Sequence, residues 1–231
     1  MTNLSPEYFF DLKNFKHASL FHGCKYPWQA LAKLKAFFAG MTLGQIECEI
    51  PPGVHLEHPE SISIGKGSVV EPGAFIRGPC VIGENCEVRQ GAYIRGNFVA
   101  GDGCVIGHDT EVKNTIFLND VRAGHFAYLG DSILGNEVNL GAGTICANLR
   151  LDHGKIFINT DEEKIITGLS KLGAILGDGV QTGCNSVLNP GTVLGKQTIC
   201  YPCTNIGGYI PAKQVVRTNS QIVVTPFSKF S

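Results

Sequence analysis

At 231 residues the chain can bury one sizeable core, or one core with a small appendage. Its formal net charge of -1 offers no global basic field to nucleic acid or an anionic membrane, and its 43% apolar residues include no run long enough to span a bilayer. Nine cysteines, an odd number without a second CxxC to match "CYPC" at Cys200–Cys203, argue against a disulfide or zinc framework and for reduced thiols in a cytoplasmic protein.

The opening stretch "MTNLSPEYFFDLKNF" has no basic segment leading into an uninterrupted apolar one, so no secretion signal is expected. Ser5 and Pro6 instead suit the cap and first position of a short helix. In "YPWQALAKLKAFFAG" Pro27 opens and Gly40 closes a second helix, with Trp28, Leu31, Leu34 and Phe38 on one apolar stripe. Residues 1–45 are therefore expected to form a helical cap or linker-like segment over the open lower end of whatever follows, because a bare end would expose core and strand edges. Residues 41–61 read as irregular lead-in.

From Ile64 a period of six sets in. Val70, Ile76, Ile82, Val88, Ile94, Ala100, Ile106 and Val112 follow without a miss, and Ser68, Ala74, Cys80, Cys86, Ala92, Cys104 and Thr110 are among the mostly small residues four places after an aliphatic. A helix turns about 240° in six residues, so its aliphatics would face three directions. Glycine, proline or charge inside each hexapeptide also rules out long strands. Short flat strands joined by tight corners satisfy both facts. Three hexapeptides then make one triangular coil, and coils stack at about 4.8 Å. The recurring aliphatic fills the prism, and Cys80, Cys86 and Cys104 are expected to be buried as small apolar residues. The fold class is an all-β solenoid spanning 46–210, a parallel β-helix of hexapeptide repeats.

Stacking makes residues eighteen apart vertical neighbours. Arg77, Arg95 and Lys113 should form a ladder of positive charge, with repulsion of about 1–3 kcal/mol between adjacent rungs at a protein-surface dielectric. A bound phosphate would turn that cost into a gain, while splayed, solvated side chains are the plain alternative. After Val112 the phase shortens once, placing His125 directly above His108. A third histidine is missing from that neighbourhood, so no metal is assigned. His125 in "AGHFAYLGD" can serve as a general base near neutrality or can be an ordinary corner histidine. Between Leu151 and Ser170 the repeat fails, and "LDHGKIFINTDEEKIITGLS" reads as an inserted flap, hairpin-like, before the phase restarts at Leu176, Thr182, Leu188 and Leu194. Residues 211–231 hold one further strand and a tail.

The hexapeptide pattern resembles the left-handed β-helix family, and that resemblance supplies the handedness. More specifically, "VRQGAYIRG", "EVKN" and "AGHFAYLGDSILGNEVNLGAGTICAN" look like the C-terminal acetyltransferase domain of the bifunctional enzymes that make UDP-N-acetylglucosamine. The long insertion before "KLGAILGD" resembles the sugar-1-phosphate nucleotidylyltransferase/acetyltransferase subgroup. The resemblance covers about residues 62–210. It implies a homotrimer that uses acetyl-CoA to acetylate a hexosamine 1-phosphate, glucosamine 1-phosphate foremost, in nucleotide-sugar and cell-envelope precursor synthesis. It implies Arg95 and Lys113 as a phosphate clamp, His125 as the base, and Tyr128 as a sugar-phosphate contact. It further implies Asn139, Asn148 and Lys171 as substrate-binding residues, with Ala142 and Cys184 on the cofactor.

Leu149 departs from the aromatic residue usual after the last asparagine, and the flap should lie beside the site. The family's nucleotidyltransferase half is absent, so this chain is not expected to make the nucleotide sugar by itself. Two alternatives follow: a non-catalytic trimeric or regulatory partner of a separate nucleotidyltransferase, or an acyltransferase for another amino sugar.

Overall fold

A computed structural model describes residues 2–219. Three parallel sheets of eight short strands each form the sides of a prism, and one two-stranded antiparallel sheet lies outside it. Successive coils pair in the register the sequence implies: Ile62 with Cys80, Ile76 with Ile94, Val88 with Ile106, and after the shortened coil Val112 with Leu129. This is the all-β solenoid of hexapeptide repeats expected from the period.

The core is the repeat itself. Every aliphatic from Ile64 to Val112 in steps of six lies in one buried cluster, together with Cys80, Cys86, Cys104, Cys146 and Cys200. Each large member contributes about 1.5–3 kcal/mol by burial. Small hydroxyl residues close the corners from inside, as when Thr110 Oγ1 donates to the Ala123 carbonyl at 3.1 Å and Thr115 Oγ1 to Leu129 at 3.1 Å. Tight corners also require left-handed residues. One corner uses Gly91, Asp109, Phe126, Gly143 and Asn185 on successive coils. Phe126 is the unusual member, because a bulky side chain there carries a backbone cost.

The N-terminal helices form where expected, α1 over Pro6–Phe9 and α2 over Gln29–Ala39, but they cover a side of the prism instead of its open end. On one sheet the strands read "CVI", "FVA", "TIF", "AIL" and "TVL", buried at three successive positions. Their middle residues Val81, Val99, Ile116, Ile175 and Val193 point outward, and Phe9, Phe21, Trp28, Leu31, Leu34 and Phe38 bury them. Burial on both faces is the physical reason for the placement, and the apolar residue at each outward middle position is its sequence signal.

The segment between the helices descends the adjoining corner. Phe9 O accepts from Asp178 N (2.9 Å), Asp11 O from Asn136 Nδ2 (2.9 Å), and Asn14 O from Asn119 Nδ2 (3.1 Å), and Lys16 Nζ reaches Glu84 Oε1 (2.6 Å). The lead-in is more regular than its composition suggests. Ile46 bridges Ile64 in parallel and His55–Glu57 pairs with Phe75–Arg77, so the first coil begins before the repeat becomes legible.

The insertion forms a hairpin of Phe157–Asn159 and Lys164–Ile166. Its Ile156, Ile158 and Ile165 join the cluster under α2. Thus the arms of the flap lie on the covered side, and its roots, Leu149 and Lys171, border Asn148. Val215–Val216 adds one more rung at the upper end, pairing with Ile199–Cys200. The rest of the expected tail, 220–231, lies outside the described residues.

Candidate functional site

The corner that contains Phe126 stacks three of the candidate residues. Phe126 N donates to His108 O at 2.9 Å, Gly143 N to His125 O at 3.1 Å, and Asn185 N to Ala142 O at 2.8 Å. One column therefore runs His108, His125, Ala142, Cys184, one residue per coil, although the last two are separated in sequence by the whole hairpin. His108 and His125 are paired as the spacing predicts. His108 Nδ1 donates to the Gln90 carbonyl at 2.9 Å, and its ring meets Phe126 edge-on at 5.2 Å. The ring of His125 is exposed and makes no hydrogen bond among the described residues, which leaves both nitrogens for a ligand. Among those residues no group of three or more His, Cys, Asp and Glu side chains could share a metal.

Around this corner lies a second face, where a basic column runs upward beside a mixed one of His55, Phe75, Tyr93, Glu111 and Tyr128. Arg77, Arg95 and Lys113 occupy successive rungs, with Arg95 N donating to Val112 O at 2.9 Å. The registry holds, but the expected bare ladder of repelling charge does not. Arg77 pairs with Glu57, Arg95 Nη1 lies 2.7 Å from Glu111 Oε1, and Lys113 Nζ lies 3.3 Å from Asp131 Oδ2. Each cation is neutralised by this chain's own carboxylate, so the rungs do not repel as isolated charges would. The sequence places Glu111 on the same side of its strand as Lys113, but its partner is Arg95 on the rung below, a choice that the spacing does not contain.

Above Lys113 the basic column ends at Gly130, paired with it in register. A Cβ on Gly130 would come within 2.5 Å of Asn148 Nδ2 and 2.8 Å of Tyr128 Oη. The missing side chain is what lets Tyr128 and Asn148 close over this rung. Tyr128 Oη lies 3.4 Å from Asn148 Oδ1, and Asn148 Nδ2 donates to Asp131 Oδ2. Burial, followed by Glu111 and Asp131, pushes the Tyr128 hydroxyl above its ordinary pKa, so it stays protonated at neutral pH. Glu111 likewise raises that of Arg95.

Lys113, Tyr128 and Asn148 thus come together, with Arg95 on the rung below. Lys171 is exposed at the root of the insertion, where Leu172 N donates to Asn148 O at 3.0 Å. Asn139 stands apart. It lies exposed on the third face between Arg122 and Gln181, in a recess of about 410 Å³ that also includes Asp120 and Glu137. Sequence reasoning missed Asp131, Asn114 and Glu111. Asn114 and Asp131 both adopt left-handed backbone, with φ of 50° and 49°, at the same corner one shortened coil apart.

The GMPPB C-terminal domain model matches residues 76–207, which span every candidate residue from Arg95 to Cys184. The bifunctional sugar-1-phosphate nucleotidylyltransferase/acetyltransferase of Sulfurisphaera tokodaii is 39% identical over 97 residues, 42% of this chain and 24% of its own. Bifunctional protein GlmU of Methanococcus aeolicus is 38% identical over 93 residues, 40% of this chain and 22% of its own. YaiX of Escherichia coli K12, described as an uncharacterized acetyltransferase, is 31% identical over 163 residues, 68% of this chain and 71% of its own. The chain spans about a quarter of the length of the first two relatives.

Proposed function

The chain belongs to the GMPPB C-terminal domain family, and on that premise we propose that it is an acetyl-CoA-dependent N-acetyltransferase acting on a hexosamine 1-phosphate, glucosamine 1-phosphate foremost. The observation that carries this reading is the corner column. His125, with both ring nitrogens available, shares one edge of the prism with Ala142 and Cys184, next to the cluster of Lys113, Tyr128 and Asn148. An extended pantetheine arm would run along such an edge and bring its thioester to the imidazole.

In this reaction the amine lone pair of the sugar attacks the thioester carbonyl carbon. The N–C bond forms and the C–S bond breaks, its electron pair leaving on sulfur as CoA departs. His125 accepts the proton released by the nitrogen, a task that suits imidazole near neutrality. Asn148 and backbone N–H donors are assigned to the tetrahedral oxyanion, a contribution often larger than that of the base. Arg95 and Lys113 receive the phosphate, which then competes with or bridges from Glu111 and Asp131. We also propose a homotrimer, on the resemblance to these acetyltransferases; His125 and Asn139 stand at opposite ends of adjacent strands of one sheet. The nine free cysteines favour a reducing compartment, hence the cytoplasm. No helix of the described residues is long and apolar enough to cross a membrane.

The test is thiol release from acetyl-CoA against glucosamine 1-phosphate, galactosamine 1-phosphate and a nucleotide-linked amino sugar. Release with the first and a sedimentation mass near three times 24.8 kDa are expected; preference for either of the others moves the substrate. A second reading, a non-catalytic trimeric partner of a separate nucleotidyltransferase, is favoured by the neutralised Arg95 and Lys113 and by exposed Leu149. No thiol release with any acceptor, combined with co-purification of such an enzyme, would establish it.

A further inference from the structure

Asp131, 7% exposed as a residue, carries a buried carboxylate at the corner beside the candidate substrate residues. A buried charge persists only when it is paired and hydrogen-bonded. Here it receives three side chains: Asn114 Nδ2 donates to Oδ1 at 2.7 Å, Asn148 Nδ2 donates to Oδ2, and Lys113 Nζ lies 3.3 Å from Oδ2. Its own backbone is fixed at both ends, its N–H donating to Lys113 O and its carbonyl accepting from Gly173 N, each at 2.9 Å.

The hydrogen-bond polarity of this cluster is forced. An ionised carboxylate only accepts, so the Asn148 atom facing it must be the NH2, and Asn148 Oδ1 must then turn toward Tyr128 Oη. One carboxylate thus sets the direction of the Asn148 amide and the place of the Lys113 ammonium, two groups that come from the coils above and below its own. Asp131 is buried, whereas His125 and Lys171 are exposed.

We infer that Asp131 is the positioning residue of the amino-sugar-phosphate subsite, acting through Lys113 and Asn148 without itself touching the substrate. The inference rests on the proposed acetyltransferase reading and adds to it a reason for the site's selectivity: the subsite is preformed in this chain before ligand arrives, and preorganised groups bind without the cost of ordering them. It also predicts a split. Asp131 acts on the sugar phosphate and on Asn148 but not on CoA binding, because Ala142 and Cys184 are held by a different column.

The test is calorimetric titration of the full chain with glucosamine 1-phosphate and, separately, with CoA. Asp131→Asn keeps the size and tolerates the left-handed backbone, but turns one of two acceptors into a donor that faces other donors. It is expected to weaken glucosamine 1-phosphate binding at least tenfold while CoA binding changes less than twofold. Asn114→Gly, at a φ of 50° that glycine accepts, removes one of the three donors and is expected to give about a threefold loss on the sugar side alone. It serves as the readout if Asp131→Asn does not fold. Equal losses for both ligands, or none for glucosamine 1-phosphate, overturn the positioning role while leaving the acetyltransferase reading intact. A wild-type chain that binds CoA but no glucosamine 1-phosphate overturns both.

Discussion

Replacing His125 by alanine removes an exposed ring that, among the described residues, holds no other side chain by a hydrogen bond, so it tests chemistry apart from folding. We expect His125→Ala to lower acetyl-transfer turnover by about 10² to 10⁴, with the melting temperature within a degree or two of the parent. Turnover within a few-fold of the parent would remove His125 from the base role. His108, one coil below, is a useful control. Its Nδ1 is committed to the Gln90 carbonyl and its other nitrogen lies 3.4 Å from Asp109, so it is an anchored neighbour and not a second base. Two histidines alike in the sequence pattern thus differ in what surrounds them.

At the scale of elements, the N-terminal segment is a cover fastened by rings and by a ladder of corner asparagines and aspartates. His17 lies in that cover, its ring 5.6 Å from both Phe15 and Phe37. Burial pushes its pKa below the ordinary 6.5, with Asp102 opposing and Lys16 assisting. The unfolded chain therefore binds this proton more readily than the folded one. Stability from the neutral ring is fully present above pH 6.5 and is lost as pH falls from there through the depressed folded value. Thermal unfolding followed between pH 7.5 and 5 should show this decline, and His17→Gln should flatten it. An unchanged slope in the variant would assign the acid sensitivity elsewhere.

For the whole molecule, vertical registry decides which groups face water. Of the nine cysteines, Cys184 and Cys203 are exposed, Cys24 and Cys48 are partly covered, and the other five are buried. Burial also pushes the thiols of Cys146 and Cys200 up to about 12 and about 11, which suppresses the reactive thiolate. A maleimide reagent on the native protein, read by peptide mass spectrometry, should modify Cys184 and Cys203 first and leave Cys80, Cys86, Cys104, Cys146 and Cys200 untouched until denaturant is added. Early labelling of Cys86 or Cys104 would mean that the coils are not stacked in this register. CoA should slow labelling of Cys184 relative to Cys203 if the corner column is the cofactor edge.

The order of the amino acids determined the period, and with it most of the fold. A six-residue spacing of aliphatics from Ile64 to Val112 has one economical solution, so the coil, its buried cysteines, the stacked His108 and His125 and the rungs Arg77, Arg95 and Lys113 were all legible. So were the helix limits near Pro27 and Gly40 and the existence of the insertion. Only the tertiary structure decided which charges neutralise one another, because Glu57, Glu111 and Asp131 reach their partners across rungs by side-chain direction, which a one-dimensional pattern does not contain. It also decided where the helices go. An amphipathic stripe states that a face will be buried, and the choice between the open end of a prism and one of its sides depends on which surface offers complementary apolar area.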